Sequence, residues 1–232
     1  MKKIGCLCIH GFTGAPFEVE PLAEYFRFHT NWEIVVPTLP GHGENGDLSS
    51  IQYMEWIACA EDALQQLFER CEEIFVVGFS MGGIIACNLA KKYPVKKLVL
   101  LSAAAKYISA KQLSLDIKDV IKDSFRGNIK DNELYKRYTT KIKQTPLHAT
   151  GQFRTLVAAN AKVFKDITIP VFIAQGRRDG IVPPKTAGFL YRKLASDYKV
   201  VYIDEEAKHL ICHSPHNETL FHIIQQFLLK EK

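Results

Sequence analysis

Short apolar, β-rich runs recur along the first hundred residues, at Ile4–Ile9, Glu33–Val36, Ile74–Val77 and Lys97–Leu101. Between them lie helical spacings: Leu22, Tyr25 and Phe26 after Pro21, then Trp56, Ala60, Ala63, Leu64, Leu67 and Phe68. The runs are apolar throughout and do not alternate, so both faces of each strand must be covered. Strand–helix alternation meets that demand with a parallel sheet sandwiched between helices. After Leu101 the rhythm stops. Leu113, Ile117, Val120 and Ile121 mark one helix, Leu134, Tyr138 and Ile142 a second, and Phe153, Leu156, Val157 and Phe164 a third. The alternation then resumes with strand Pro170–Gln175, helix Pro184–Leu194, strand Lys199–Ile203 and a closing helix bearing Leu220, Phe221, Ile224, Phe227 and Leu228. The expected fold class is α/β, a mostly parallel sheet flanked by helices. Residues 1–102 and 167–232 form its core, and 103–166 form a helical cap inserted over the C-terminal edge, where ligands bind in such sheets.

Length and composition exclude several classes. A chain of 232 residues fits one domain and buries enough surface, about 70–75%, to need no disulfides. Six cysteines, Cys6, Cys8, Cys59, Cys71, Cys87 and Cys212, lack a framework spacing and mostly sit in apolar runs, as expected in a reducing, cytoplasmic setting. No apolar run approaches the ~18 residues of a membrane span. Ile4–Ile9, although preceded by two lysines, is shorter than the core of a signal peptide. The net charge of +5 resides entirely in residues 106–143, which hold ten Lys/Arg and five Asp/Glu; the rest carries twenty of each sign. A localised excess of this kind reads as a solvated face, not as a nucleic-acid groove.

The chemistry centres on Gly78-Phe79-Ser80-Met81-Gly82-Gly83, which follows one strand and opens the helical run IIACNLAKKY. G-x-S-x-G in that context is a nucleophile elbow, a sharp turn that lifts Ser80 Oγ above the sheet while the glycines keep strand and helix close. A serine hydroxyl needs a base, and the base an orienting acid. Asp179 follows the strand PVFIAQG, and His209 follows KVVYID, so both fall on the same rim as Ser80. Asp204 and Glu205 compete for the acid role and His213 for the base, but Asp179 alone comes after the earlier strand. Two backbone N–H groups are expected to form the oxyanion hole. Met81 supplies one. The other falls to Phe12 in His10-Gly11-Phe12-Thr13-Gly14, with His10 ordering the loop.

Two other patterns carry less weight. Gly41-His42-Gly43-Glu44-Asn45-Gly46 matches a dinucleotide fingerprint by letter, yet Pro37 and Pro40 separate it from the strand and no helix follows directly. His209 and His213 are four apart, as two metal ligands on one helix face would be, without a second ligand cluster. Neither a cofactor nor a metal is expected.

HGFTG, PTLPGHG, GFSMGG, GRRDGIVP and a late AKH, in this order, resemble the α/β-hydrolase superfamily, and within it the small bacterial carboxylesterases and monoacylglycerol lipases. The likeness spans nearly the whole chain. It implies a Ser80–Asp179–His209 triad, an oxyanion hole from Phe12 and Met81, strand order 2-1-3-4-5-6, and a cap guarding an acyl pocket. Leu113, Tyr138 and Leu156 are candidates for the pocket wall with Phe12 and Met81. The superfamily's two usual leading strands are expected to be absent, since the HG motif begins at His10. The implied activity is hydrolysis of a small-molecule acyl ester, short to medium in chain and monoacylglycerols included, with no nucleic-acid partner. Thioester or amide hydrolysis by the same triad and a non-catalytic binding role on the same scaffold are the alternatives.

Overall fold

The computed structural model describes residues 2–105 and 145–230. Six strands, β1 (Ile4–Ile9), β2 (Glu33–Val35), β3 (Glu73–Phe79), β4 (Lys97–Leu101), β5 (Val171–Gly176) and β6 (Lys199–Asp204), form one sheet of order β2-β1-β3-β4-β5-β6. Every neighbouring pair is parallel. This is the order implied by the resemblance, and the all-parallel sheet expected from apolar strands. β3 runs two residues beyond Val77, because Gly78 pairs with Leu100 and Phe79 with Leu101. A strand neighbour thus holds the glycine extended where local propensity would end the strand.

Six helices cover the sheet among the described residues: α1 (Glu20–His29), α2 (Tyr53–Phe68), α3 (Met81–Lys92), α4 (Leu147–Ala159), α5 (Lys185–Lys193) and α6 (Asn217–Leu229). The two-residue period of the strands divides the core into two layers. Leu7, Ile9, Ile74, Val76, Leu98, Leu100 and Ile173 face α2, α3, α4 and α5 through Trp56, Leu64, Ile85, Phe153 and Leu190. Cys6, Cys8, Phe75, Val77, Val99 and Phe172 face α1 and α6 through Leu22, Phe26, Leu220, Ile224 and Phe227. All of these side chains are at most 5% exposed.

Lys97, at the start of β4, is buried with them. Its ammonium donates to the carbonyls of Phe227 (2.8 Å), Leu228 (3.0 Å) and Lys230, closing the C-terminus of α6. A cation there satisfies carbonyls that the helix cannot and opposes its dipole.

The expected helices around Leu113–Ile121 and Leu134–Ile142 lie outside the described residues. α4 and the 3₁₀ turn Val163–Asp166 pack against α3, and α4 also against α2. Asn88 Nδ2 donates to Asn160 Oδ1 (2.8 Å), and Lys91 pairs with Asp166 (2.8 Å). No helix among the described residues is long and apolar enough to cross a membrane. All strands run in one direction, so the loops after β1, β3, β5 and β6 meet on a single rim, which carries the candidate site.

Candidate active site

Ser80 occupies the single residue between β3 and α3. Its backbone sits at φ 52°, ψ −116°, outside the regions open to an L-residue, at a cost on the order of 1–3 kcal/mol. Three hydrogen bonds hold it there. Ser80 N–H donates to Leu101 O (2.9 Å), and Ser80 O accepts from Gly83 N–H (3.0 Å) and Ala104 N–H (3.1 Å). The glycines are required by contact: a Cβ on Gly78 would stand 2.4 Å from Gly82 O, and one on Gly82 only 2.3 Å from Ile9 O and 2.6 Å from His10 O. Among the described residues the other positive-φ non-glycine residues, Thr13 (61°) and Ser102 (44°), lie beyond β1 and β4 on the same rim. Strain concentrated in this way is common at functional sites.

The structure brings the three triad candidates together. Ser80 Oγ and His209 Nε2 are 3.1 Å apart, and His209 Nδ1 lies 2.9 Å from Asp179 Oδ2. Asp179 is 5% exposed and His209 4%. Ionised, Asp179 can only accept, so the imidazole proton sits on Nδ1 and Nε2 is left as an acceptor facing Ser80 Oγ. The carboxylate is saturated with donors. Oδ1 takes the N–H groups of Ile181 (2.9 Å) and Val182 (2.8 Å), and Oδ2 takes Gln175 Nε2 (2.8 Å) besides His209. Phe79 packs its ring 4.9 Å from that of His209.

The competitors are occupied elsewhere. Asp204 Oδ1 accepts from the N–H groups of Glu206 and Ala207, and Oδ2 from Ser214 Oγ (3.0 Å), which shapes the loop that carries His209. Glu205 faces outward and pairs with Arg177 (2.9 Å). His213 Nε2 donates to Phe17 O (2.8 Å), so its ring does not converge with that of His209 on a shared ligand. Among the described residues no group of three or more His, Cys, Asp or Glu is arranged to hold a metal ion. The acid and histidine loops touch backbone to backbone: Arg177 N–H donates to Asp204 O (2.7 Å) and Arg178 N–H to Ala207 O (3.0 Å). A Cβ on Gly176 would stand 2.3 Å from Ala207 O, so glycine there lets the two loops meet.

The loop after β1 is braced from both sides. Leu39 N–H donates to His10 Nε2 (3.1 Å), which leaves the proton on Nδ1 to reach Gly11 O (2.9 Å). Burial, with His42 adding to it against the pull of the Gly11 carbonyl, pushes the His10 imidazole down to about 3, so it stays neutral near neutral pH with both ring nitrogens engaged in bracing the loop. Gly11 N–H donates to Glu18 Oε2 (2.7 Å), and the Glu18 carboxylate fills the space a Cβ on Gly14 would need. Glu18 was not legible from the sequence, where it reads as an acidic residue just ahead of a helix. The Phe12 ring stacks on Phe153 (4.9 Å between centroids, 11° between planes) and packs on Trp56 (5.7 Å). Met81 is the first residue of α3 and fully buried. The close contact of Gly82 with Ile9 and His10 sets these two segments side by side. The Gly41–Gly46 segment lies between β2 and α2, with positive φ at Gly41 and Gly43 (73° and 81°), and opens no helix.

A family model described as serine aminopeptidase, S33, matches residues 2–216. The chain belongs to this α/β-hydrolase family. It resembles small bacterial esterases and lipases. It is 29% identical to the thermostable monoacylglycerol lipase of Bacillus sp. (strain H-257) over 85% of this chain and 79% of that one. It is 24% identical to a carboxylesterase of Bacillus subtilis (strain 168) over 97% and 92%. Among solved structures, a chain from work on the metagenome-derived lipolytic enzymes LipS and LipT superposes with a TM-score of 0.80 at 24% identity, covering 99% of this chain and 95% of that one. The monoacylglycerol lipase of Paleococcus ferrophilus gives 0.72 at 19%, covering 97% and 93%.

Proposed function

We propose that the chain is a serine carboxylesterase acting on short- to medium-chain acyl esters, monoacylglycerols included. The observation that carries this reading is the continuous hydrogen-bonded line Ser80–His209–Asp179, with Ser80 on a strained elbow at the start of a helix. In this reading Ser80 Oγ attacks the ester carbonyl as His209 Nε2 takes its proton, and Asp179 stabilises the imidazolium that results. The Phe12 and Met81 N–H groups hold the oxyanion. His209 then passes its proton to the departing alcohol, leaving an acyl group on Ser80. Water, deprotonated by His209, releases the acid and restores the hydroxyl. The names of the curated relatives support an ester as substrate.

Phe12 and Met81 share one buried apolar cluster with Phe153 and Leu156 of α4, which suits an acyl chain beside the nucleophile. Residues 103–166 are read as the cap over it; Leu113 and Tyr138 lie outside the described residues.

Labelling with a fluorophosphonate probe tests the nucleophile. The wild type labels, whereas Ser80→Ala does not and its kcat falls toward the ~10³–10⁴-fold over water that binding and the oxyanion hole leave. Near-wild-type turnover in the variant overturns the assignment. Matched p-nitrophenyl esters from acetate to palmitate, with a thioester and an anilide, define the substrate. At about 0.8 kcal/mol per buried methylene, kcat/KM rises about fourfold per carbon until the pocket is full. A rate independent of chain length removes the acyl pocket and leaves the triad standing.

A further inference from the structure

Gln175 is the last-but-one residue of β5, buried to 1% exposure on a strand that is otherwise apolar. A primary amide in such a place must spend its N–H groups on partners. Its Nε2 donates to Asp179 Oδ2 (2.8 Å) and to Val182 O (3.2 Å). Oδ2 is the oxygen that also accepts from His209 Nδ1 (2.9 Å). The two backbone donors to Asp179, from Ile181 and Val182, belong to the carboxylate's own loop and fall on Oδ1. Gln175 therefore ties the histidine-facing oxygen to the sheet itself.

We infer that Gln175 is a positioning residue of the hydrolytic site, fixing Asp179 Oδ2 against His209 and sharing its negative charge. The inference rests on the triad reading above. Its geometric part follows from rigidity. A carboxylate held only by its own loop moves with that loop, whereas one bonded to a strand side chain keeps its angle to the imidazole, and an orientation error of this kind is felt in kcat. Its electrostatic part follows from competition. A second donor on Oδ2 draws off charge that would otherwise stabilise the imidazolium formed during turnover, so losing that donor changes what Asp179 offers the reacting histidine.

The other charged groups near Asp179 are accounted for. Asp204, at the end of β6, is bound to Glu206, Ala207 and Ser214, and Arg177 is paired with Glu205. Arg178, the remaining cation of the acid loop, is exposed.

Two near-isosteric variants, assayed for kcat, KM and pH profile on a p-nitrophenyl ester after thermal melting confirms folding, test the inference. Gln175→Met removes the donor: kcat falls about ten- to a hundredfold at unchanged KM, and the acidic limb of kcat/KM moves to higher pH. Gln175→Glu keeps the shape but can donate only while protonated. Its activity relative to wild type is preserved at low pH and lost as pH rises, since two carboxylates that close cannot both ionise without forcing Asp179 out of place. A purely structural glutamine would lower stability in both variants without moving either profile. Asp179→Asn is the control. If it abolishes turnover while both Gln175 variants keep wild-type kcat and pH profile, the inference is wrong and the triad stands. If Asp179→Asn is itself active, the triad reading fails first. Should the methionine variant not fold, the glutamate profile decides alone.

Discussion

Gly82→Ala probes the junction on which the proposed mechanism depends. Two effects oppose each other in this substitution. Alanine in place of glycine near the start of α3 gains up to ~1 kcal/mol of helix propensity. Against this, the new methyl group would stand 2.3 Å from Ile9 O and 2.6 Å from His10 O, where contacts under 3.0 Å are essentially never seen. Both opposing atoms are backbone, so no rotamer change relieves the clash. The end of β1 and the start of α3 must part by about 0.7 Å or more, an overpacking that typically costs ~1–3 kcal/mol. The clash wins, and a net loss of about 1–2 kcal/mol is expected. Activity should suffer more, because the same parting separates Phe12 from Met81. Displacement approaching 1 Å in catalytic groups costs about 10²-fold. Steady-state hydrolysis of a p-nitrophenyl ester and urea denaturation measure both effects, with kcat expected to fall and KM to change little. Gly151→Ala is the matched control. Among the described residues no atom beyond the local helix backbone lies within 4 Å of a Cβ there, inside α4, so it should stabilise by about 0.5–1 kcal/mol and leave kinetics unchanged. A Gly82→Ala enzyme with wild-type kcat and stability would refute the idea that backbone contact between β1 and α3 sets the site.

Stability should also respond to pH through His10, whose folded value of about 3 lies below the 6.5 of an ordinary histidine. The unfolded chain then holds the extra proton between those values, so stability falls as pH drops through this window, by up to ~1.4 kcal/mol per unit from this group. Urea melts at about pH 5 and about pH 7 should show a shallower slope in His10→Gln, and equal slopes would remove His10 as the cause. Lys97→Met should cost about 2 kcal/mol, or ~4–8 °C in Tm, by leaving the carbonyls at the end of α6 without their cation. Because Lys97 begins β4 at the edge opposite the active rim, kcat should not change; a loss of turnover without a loss of Tm contradicts this role.

Strand positions were legible because a parallel strand's burial is written in consecutive residues; Ile4–Ile9 and Lys97–Leu101 agree to the residue. Ser80, Asp179 and His209 were legible for a related reason. In a parallel sheet the residues just past strand C-termini share one rim whatever their separation in sequence, so a separation of 129 residues between Ser80 and His209 did not hide their meeting. Strand ends were less legible, since β3 runs past Gly78 only because β4 pairs with it.

The sequence favoured Asp179 by its place after the earlier strand, and the tertiary structure added what the similar groups do instead. Asp179, Asp204 and Glu205 are all carboxylates beyond a strand, and what separates them is which donors each one meets. Asp204 meets the N–H groups of its own loop, Glu205 meets Arg177 at the surface, and Asp179 alone meets His209. Glu18, Gln175 and Lys97 show the same limit from the other side. Each looks in sequence like a polar residue at the edge of an element, yet each is buried, and its partners lie on other elements or across a loop. Periodicity reports which side of an element faces the core, because that is a property of neighbours along the chain. Which polar atom a buried side chain reaches is set by the distance between elements, and that distance exists only once the sheet has assembled.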